Sequence, residues 1–90
     1  MTTETTWMWN PKVACRTLDG TAFILLNSRM LSLNAVGTFL WDRLEKGANL
    51  DALVADVLSE FDTTTEQAKD DAQAFVHTLV EKELLIEARA

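Results

Sequence analysis

The chain changes its hydrophobic pattern once, close to residue 34. Before this point apolar residues alternate with polar ones, as in "VACRTL" (13–18), or follow each other directly, as in "TAFILL" (21–26). Alternation predicts a strand with one buried face, and a continuously apolar run suits a strand that is covered on both faces. After Asn34 the apolar residues recur at spacings of three and four, which predicts helices.

Two predicted turns divide the first part of the chain into three strands. Asp19-Gly20 is a strong hairpin signal, because glycine adopts a positive φ at no steric cost. Asn27-Ser28-Arg29 predicts a second turn, after which residues 30–33 return as a third strand. We therefore expect a three-stranded antiparallel β-meander.

The first two helices follow directly. The first is expected from Ala35 to about Glu45, with Asn34 as its N-terminal cap and Gly47 beyond its end. The second is expected to begin after Asn49. It carries the clearest amphipathic stripe of the chain, which consists of Leu50, Leu53, Val54, Val57, Leu58 and Phe61.

The third helix is expected to be the longest. The spacing Thr63-x-x-Glu66 predicts a capping box at its start. Its apolar face consists of Ala68, Ala72, Phe75, Val76, Leu79 and Val80, and Leu84-Leu85-Ile86 then closes the domain as an extended segment. The predicted fold class is α+β, with a three-stranded antiparallel β-meander followed by three helices.

Residues 1–10 are rich in threonine and have no clear period, which predicts a flexible N-terminal tail before a folded domain at residues 11–87. Trp7 and Trp9 are unusual in such a tail, because side chains at spacing two lie on one face of an extended segment. Either they fold back onto the domain and bury apolar area, or they form an exposed arm for a partner. We favour the first interpretation.

The composition narrows the classes of function. Ninety residues suit one domain, and a net charge of −6 disfavours nucleic acids and anionic membranes as partners. The single Cys15 excludes an internal disulfide, and no apolar run approaches the ~20 residues of a membrane span. We expect a cytoplasmic protein that binds neither nucleic acid nor membrane.

Candidate catalytic groups are few. His77 is the only histidine and Cys15 the only thiol, and they lie on different predicted elements without a metal-binding spacing. Asp70 and Asp71 are adjacent, and adjacent helical positions point about 100° apart, so they cannot share a proton. We expect no enzymatic activity, no metal and no cofactor.

An ordered set of residues spans roughly residues 11–86. It consists of Leu33-Asn34, Phe39, Leu40 and Trp41, then Gly47 and the stripe 50–58 with Phe61, and finally Phe75, Leu79 and Leu84-Leu85-Ile86. This set resembles the PqqD-like family, also called the RiPP recognition element, whose members look like small winged helix-turn-helix domains. Glu83 departs from the family pattern, since a glycine often precedes the final apolar pair, and Trp7 and Trp9 have no family counterpart.

The resemblance implies a peptide chaperone that is not itself an enzyme. It would bind the leader of a ribosomally made precursor peptide and present it to a modifying enzyme, often a radical SAM protein. The leader would add as a further strand beside Met30, Leu31, Ser32 and Leu33. Its side chains would enter a cleft against the third helix, for which we expect Lys69, Gln73, Val76, His77 and Val80.

The sequence of the third strand suits this function. Residues 30–33 contain neither proline nor charge, so nothing in the strand itself blocks pairing along its free edge. Alternatives are a winged-helix DNA-binding regulator and a structural subunit that associates, for example as a homodimer, through the same edge. The third helix could also cover that edge.

Overall fold

The computed structural model describes residues 5–88 of the chain. Its elements are, in order, β1 (Thr6–Trp9), β2 (Ala14–Leu18), β3 (Thr21–Leu26), β4 (Arg29–Ser32), α1 (Ala35–Arg43), β5 (Ala48–Asn49), α2 (Leu50–Glu60), α3 (Thr65–Glu81) and β6 (Leu85–Ala88). The strands form two antiparallel three-stranded sheets, with the orders β2-β3-β4 and β5-β1-β6. The α+β class, the meander and the three helices are confirmed, whereas the second sheet was not predicted.

The meander is built from two tight hairpins. Leu18 pairs with Thr21 and Leu26 with Arg29, so each turn has only two residues. Both turns, Asp19-Gly20 (φ 51° and 78°) and Asn27-Ser28 (φ 53° and 69°), have the positive φ values of a type I′ turn. This turn type matches the twist of the strands and fixes their register.

Side-chain amide or hydroxyl groups cap all three helices. The Asn34 side chain accepts a hydrogen bond from the Gly37 N–H at 2.8 Å, and Asn49 accepts one from the Ala52 N–H at 2.8 Å. The cap of α3 is Thr64, which accepts from the Gln67 N–H at 3.1 Å. The predicted capping box was therefore one residue too early, because Thr64-x-x-Gln67 repeats the same spacing.

The end of α3 has a Schellman motif. The Leu84 N–H donates to the Leu79 carbonyl at 2.9 Å, and the Glu83 N–H donates to the Val80 carbonyl at 3.0 Å. Glu83 adopts φ 65°, the left-handed conformation that glycine usually supplies at this position. Glu83, which replaces the glycine that often precedes the final apolar pair, therefore adopts the backbone conformation that favours glycine.

The second sheet incorporates part of the predicted tail. β1 lies between β5 and β6, with Thr6 opposite Asn49 on one side and Ala88 on the other. The Trp9 ring stacks on the Trp41 ring, with centroids 4.6 Å apart, and its indole N–H donates to the Trp41 carbonyl at 2.7 Å. Residues 6–9 of the predicted tail therefore fold back onto the domain as β1. The first four residues of that tail lie outside the described residues.

The core lies between the meander, the helices and the second sheet. β3 contributes Ala22, Ile24 and Leu26, all buried, whereas Leu25 is exposed. The expectation that β3 is covered on both faces was wrong, because α1 packs on one face of the strand and leaves the other open. The remaining buried apolar residues are Leu40, Trp41, Leu44, Leu53, Val57, Ala68, Ala72, Val76, Leu79, Leu84 and Leu85.

A buried hydroxyl joins α1 to the meander. Thr38 lies on α1, is 7% exposed, and its Oγ1 accepts a hydrogen bond from the Ala22 N–H at 2.9 Å. The same hydroxyl donates to the Leu33 carbonyl at 3.4 Å. The Ala22 N–H and the Leu33 carbonyl would form the next backbone hydrogen bond between the two strands. The Thr38 hydroxyl lies between these two groups and bonds to both of them.

Candidate functional site

The edge of β4 directs backbone groups away from the meander. The Leu33 N–H donates to the Ala22 carbonyl at 2.9 Å, so it points towards β3. Because alternate residues of an antiparallel strand direct their N–H and C=O groups to the same side, Leu31 bonds inwards as well. Met30 and Ser32 direct theirs outwards. Within residues 5–88, no strand pairs with that side of β4.

A groove separates β4 from α3. It has two parts, of about 1030 and 440 Å³, which meet at Leu31 and Thr78. The larger part is lined by Ile24, Leu26, Asn27, Arg29, Met30, Leu31, Thr78, Glu81, Lys82, Glu83 and Leu84. The smaller part is lined by Leu31, Leu33, Asn34, Val36, Gly37, Leu40, Asp71, Ala74, Phe75, Thr78 and Leu79.

The two parts of the groove differ in chemistry. The smaller part has aliphatic and aromatic walls, and Asp71 is its one charged lining residue. The larger part is bordered by four charged residues, which are Arg29, Glu81, Lys82 and Glu83. An extended chain along β4 would therefore meet an apolar surface beside Leu33 and a charged surface beside Arg29.

Gly37 allows the close packing at the apolar part. A Cβ atom at this position would lie 3.3 Å from the Phe75 ring and 3.3 Å from the Leu33 Cβ, both tighter than ordinary van der Waals contact. It would also lie 3.2 Å from Asn34 Oδ1, the atom that caps α1. Glycine therefore lets α1, α3 and the end of β4 converge on one side of the groove.

One face of α3 forms the far wall. The residues that it contributes recur every three or four positions: Asp71, Ala74, Phe75, Thr78, Leu79 and Glu81, and Lys82 follows directly after the helix. This spacing places them along one side of the helix, next to the buried stripe of Ala68, Ala72, Val76 and Leu79. The wall is thus one flank of the amphipathic helix, and Leu79 is the member of the core-facing stripe that also borders the groove.

Residues 15–85 match the family model described as Coenzyme PQQ synthesis protein D (PqqD). The chain belongs to the PqqD family. A search of curated protein sequences finds no significant match.

Two solved structures share the fold of this PqqD-family chain. One is described as TbiB1 in complex with the TbiA(beta) leader peptide, with a TM-score of 0.82, 24% identity, and coverage of 92% of this chain and 99% of that chain. The other is a lasso peptide synthetase B1 complexed with the leader peptide, with a TM-score of 0.78, 20% identity, and coverage of 89% and 96%. At these identities the likeness establishes a common fold.

The expected site residues on the strand lie at the groove of this PqqD-family domain. Met30, Leu31 and Leu33 line it. Ser32 lies between them, is exposed, and directs its backbone groups outwards, as described above. The strand side of the sequence prediction therefore coincides with the observed edge, and binding at this edge stays a prediction.

The expected residues on α3 lie elsewhere. At about 100° per residue, Lys69, Gln73, Val76 and Val80 are displaced by about 140–180° around the helix from Thr78, and His77 by about 100°. None of the five lines the groove; Val76 is buried in the core and the other four are exposed. The groove wall is formed by the opposite flank of the buried stripe.

The sequence carried a weak signal for the flank of α3 that lines the groove. Phe75 belongs to the apolar stripe of α3, yet it is only half-buried and lies at the border between the core and the groove. Asp71, Ala74 and Thr78 extend from it at helical spacing. The groove residues could have been predicted by choosing the flank of α3 that carries Phe75. A peptide strand paired with β4 would place apolar side chains against such an aromatic surface.

The groups considered for catalysis are dispersed. Cys15 is exposed on β2, and His77 is exposed on α3, where its Nε2 lies 3.4 Å from Glu81 Oε2. No cluster of three or more potential metal ligands occurs within residues 5–88. In the same part of the chain, no helix has the length and apolar character needed to cross a membrane.

Proposed function

We propose that this chain binds the leader segment of a ribosomally made precursor peptide by strand addition to β4 and presents it to a modifying enzyme. The observation that carries this proposal is the pair of outward-directed backbone positions, Met30 and Ser32, beside a groove that α3 closes on its far side. An added strand would satisfy these donors and acceptors, while its side chains would enter the groove.

The dimensions and chemistry of the groove support an extended occupant. In a strand, every second side chain points to the same side, at a spacing of about 7 Å. Successive groove-facing side chains of a peptide would thus reach first one part of the groove and then the other. We expect an apolar side chain beside Phe75 and a polar or charged one beside Arg29 and Glu81.

Membership of the PqqD family supports a role in peptide modification. Both structural neighbours are described as complexes with a leader peptide, which is the class of ligand that we propose here. The proposed second partner is the enzyme that modifies the precursor, and a radical SAM protein is the class that the family resemblance suggests. The chain itself would act by binding, and we assign it no catalytic step.

The charge distribution disfavours the alternative of DNA binding. Residues 35–88, which contain all three helices, carry twelve acidic and four basic side chains. A recognition helix in such a segment would repel the phosphate backbone. A homodimer through β4 would occupy the same edge as the peptide, so the two would compete for Met30 and Ser32.

The experiment replaces Ser32 with proline and measures, by calorimetry, the binding of a synthetic leader peptide chosen from short precursor genes in the genomic neighbourhood. Ser32→Pro removes an outward N–H, and an edge strand tolerates proline on its solvent side. We expect a loss of about 1–3 kcal/mol for one missing hydrogen bond, or about 5- to 150-fold in Kd.

Ser32→Ala is the matched control, because it removes the side chain and keeps the backbone N–H. We expect its affinity to stay close to that of the wild type. Leu31→Pro removes an inward bond to β3 and should destabilise the fold instead. If the folded Ser32→Pro protein bound the leader as tightly as Ser32→Ala, β4 would not be the binding edge.

A further inference from the structure

The meander has a second surface, opposite the core. In an antiparallel sheet, directly paired residues lie on the same face, so the register defines this surface. We call it the outer sheet face; it consists of Ala14, Arg16, Leu18, Thr21, Phe23, Leu25, Met30 and Ser32. Three of its four large apolar side chains are exposed: Leu18 by 52%, Leu25 by 46% and Met30 by 70%.

Within residues 5–88, no element packs over this face. The helices lie on the other side of the meander, where Ala22, Ile24 and Leu26 are buried. Every residue of β2 is exposed, and Phe23 is half-buried on the open side of β3. A group of exposed aliphatic side chains on a sheet is uncommon in a monomer and marks a surface for another protein.

The charge on this face distinguishes between a second copy and a different partner. Arg16 is the one charged residue among the eight, and the face contains no carboxylate. Two copies packed face to face would bury two arginines without a partner, which is costly. A different protein can place a carboxylate opposite Arg16 and apolar side chains opposite Leu18, Leu25 and Met30.

We propose that the outer sheet face docks the modifying enzyme, through a patch of that enzyme that is apolar and carries a carboxylate for Arg16. This inference rests on the proposed function and deepens it. Met30 and Ser32 belong both to this face and to the proposed peptide-binding edge. A leader strand beside β4 would extend the same sheet, with every second side chain on the outer face.

The docked enzyme would therefore contact the chain and the leader together. Binding of the leader and binding of the enzyme then favour each other by the same factor, because coupling between two sites is reciprocal. The enzyme would therefore bind the chain more tightly when the leader is bound than when it is not, and in this way the chain would present the leader to the enzyme.

The test uses the same synthetic leader peptide and the purified candidate enzyme for modification of its precursor. The full chain is immobilised, saturated with leader and titrated with the enzyme. Leu25→Asp places a negative charge in the apolar surface, and Arg16→Glu reverses its single charge. We expect each to raise the Kd for the enzyme by about tenfold or more, as changes at the centre of an interface do, with the Kd for the leader unchanged.

Ile86→Asp is the matched control, because Ile86 is a strand residue of the other sheet and is 38% exposed. We expect it to bind the enzyme like the wild type. Normal enzyme binding by folded Leu25→Asp and Arg16→Glu would overturn the inference, as would an equal loss in Ile86→Asp. A wild-type dimer in sedimentation that Leu25→Asp dissociates would assign the face to a second copy instead.

The leader measurement separates this inference from the proposed function. If the wild type does not bind the leader, the proposed function fails. If the leader binds and the enzyme is insensitive to Leu25 and Arg16, only the docking surface is wrong.

Discussion

The bridging hydroxyl of Thr38 offers a sharp test of how the meander is joined to the helices. We consider Thr38→Val, which replaces the hydroxyl by a methyl group and leaves the size and branching of the side chain nearly unchanged. The substitution removes the acceptor of the Ala22 N–H (2.9 Å) and the donor to the Leu33 carbonyl (3.4 Å). Ala22 is fully buried, so water cannot replace the lost acceptor without a local opening.

The magnitude follows from the burial of these groups. A buried donor that loses its only partner costs about 1–3 kcal/mol, and the 3.4 Å bond to Leu33 is too long to add much. The added methyl group recovers part of this by apolar burial, about 0.8 kcal/mol for a group of that size. The difference is about 0.2–2.2 kcal/mol, and at its midpoint the free energy of unfolding falls by about 1.2 kcal/mol, which lowers the Tm of a domain of this size by about 5–10 °C.

The assay is urea denaturation followed by circular dichroism, with Thr38→Ser as the control. Serine keeps the hydroxyl and loses one methyl group, so we expect a smaller loss, about 1 kcal/mol. An unchanged m-value in both variants would show that the two states remain the same. If Thr38→Val were as stable as the wild type or more stable, the hydroxyl bridge would not hold α1 to β3.

Two further predictions concern the second sheet and the end of α3. Trp9→Ala removes the stack on Trp41 and one hydrogen bond, and should lower the free energy of unfolding by about 2–3 kcal/mol. Trp9→Phe keeps an aromatic ring and should lose about half of that, with both variants compared by thermal melting followed by circular dichroism. An unchanged Tm in Trp9→Ala would mean that β1 adds nothing to stability. Glu83→Gly should raise the free energy of unfolding by about 0.5–1 kcal/mol, because glycine adopts φ 65° without strain, whereas Glu83→Ala keeps the Cβ and should give no gain. If the Glu83→Gly protein were less stable than the Glu83→Ala protein, the positive φ of Glu83 would not strain the backbone.

The elements that local patterns specify were predictable. Two-residue turns, helix caps such as Asn34 and Asn49, and the stripe of α2 each depend on residues that are close in sequence. The meander and the three helices follow from them. Even the misplaced cap of α3 was an error of a single residue, because two threonines in a row offer the same spacing.

The second sheet depends on contacts that no local pattern encodes. β5 has two residues, which is too short for any periodicity, and β1 pairs with β6 about 80 positions away without a connecting turn. The pair Trp7 and Trp9 was the one sequence signal for β1. It indicated a buried face, and the location of the partner strand could not be derived from it.

The groove was predictable from one side only. The edge at Met30–Leu33 follows from the order of strands in a meander, but an amphipathic helix has two flanks beside its buried stripe. Periodicity identifies the stripe of α3 and is symmetrical with respect to those flanks. The choice between Gln73 and Thr78 as a groove residue is made by the way in which α3 packs across the meander, which is a tertiary property.

The pairing of Thr6 with Ala88 brings the two ends of the described chain side by side, in the sheet that does not form the groove. Joining these ends by a short linker would therefore close the chain into a ring with little change in the positions of its elements. New ends could then be opened at the exposed Asp19-Gly20 turn, which joins β2 to β3 and leaves the chain of β4 uninterrupted. For the same reason the unit is suited to insertion into a surface loop of a host protein, where it would be attached on one side and keep β4 accessible.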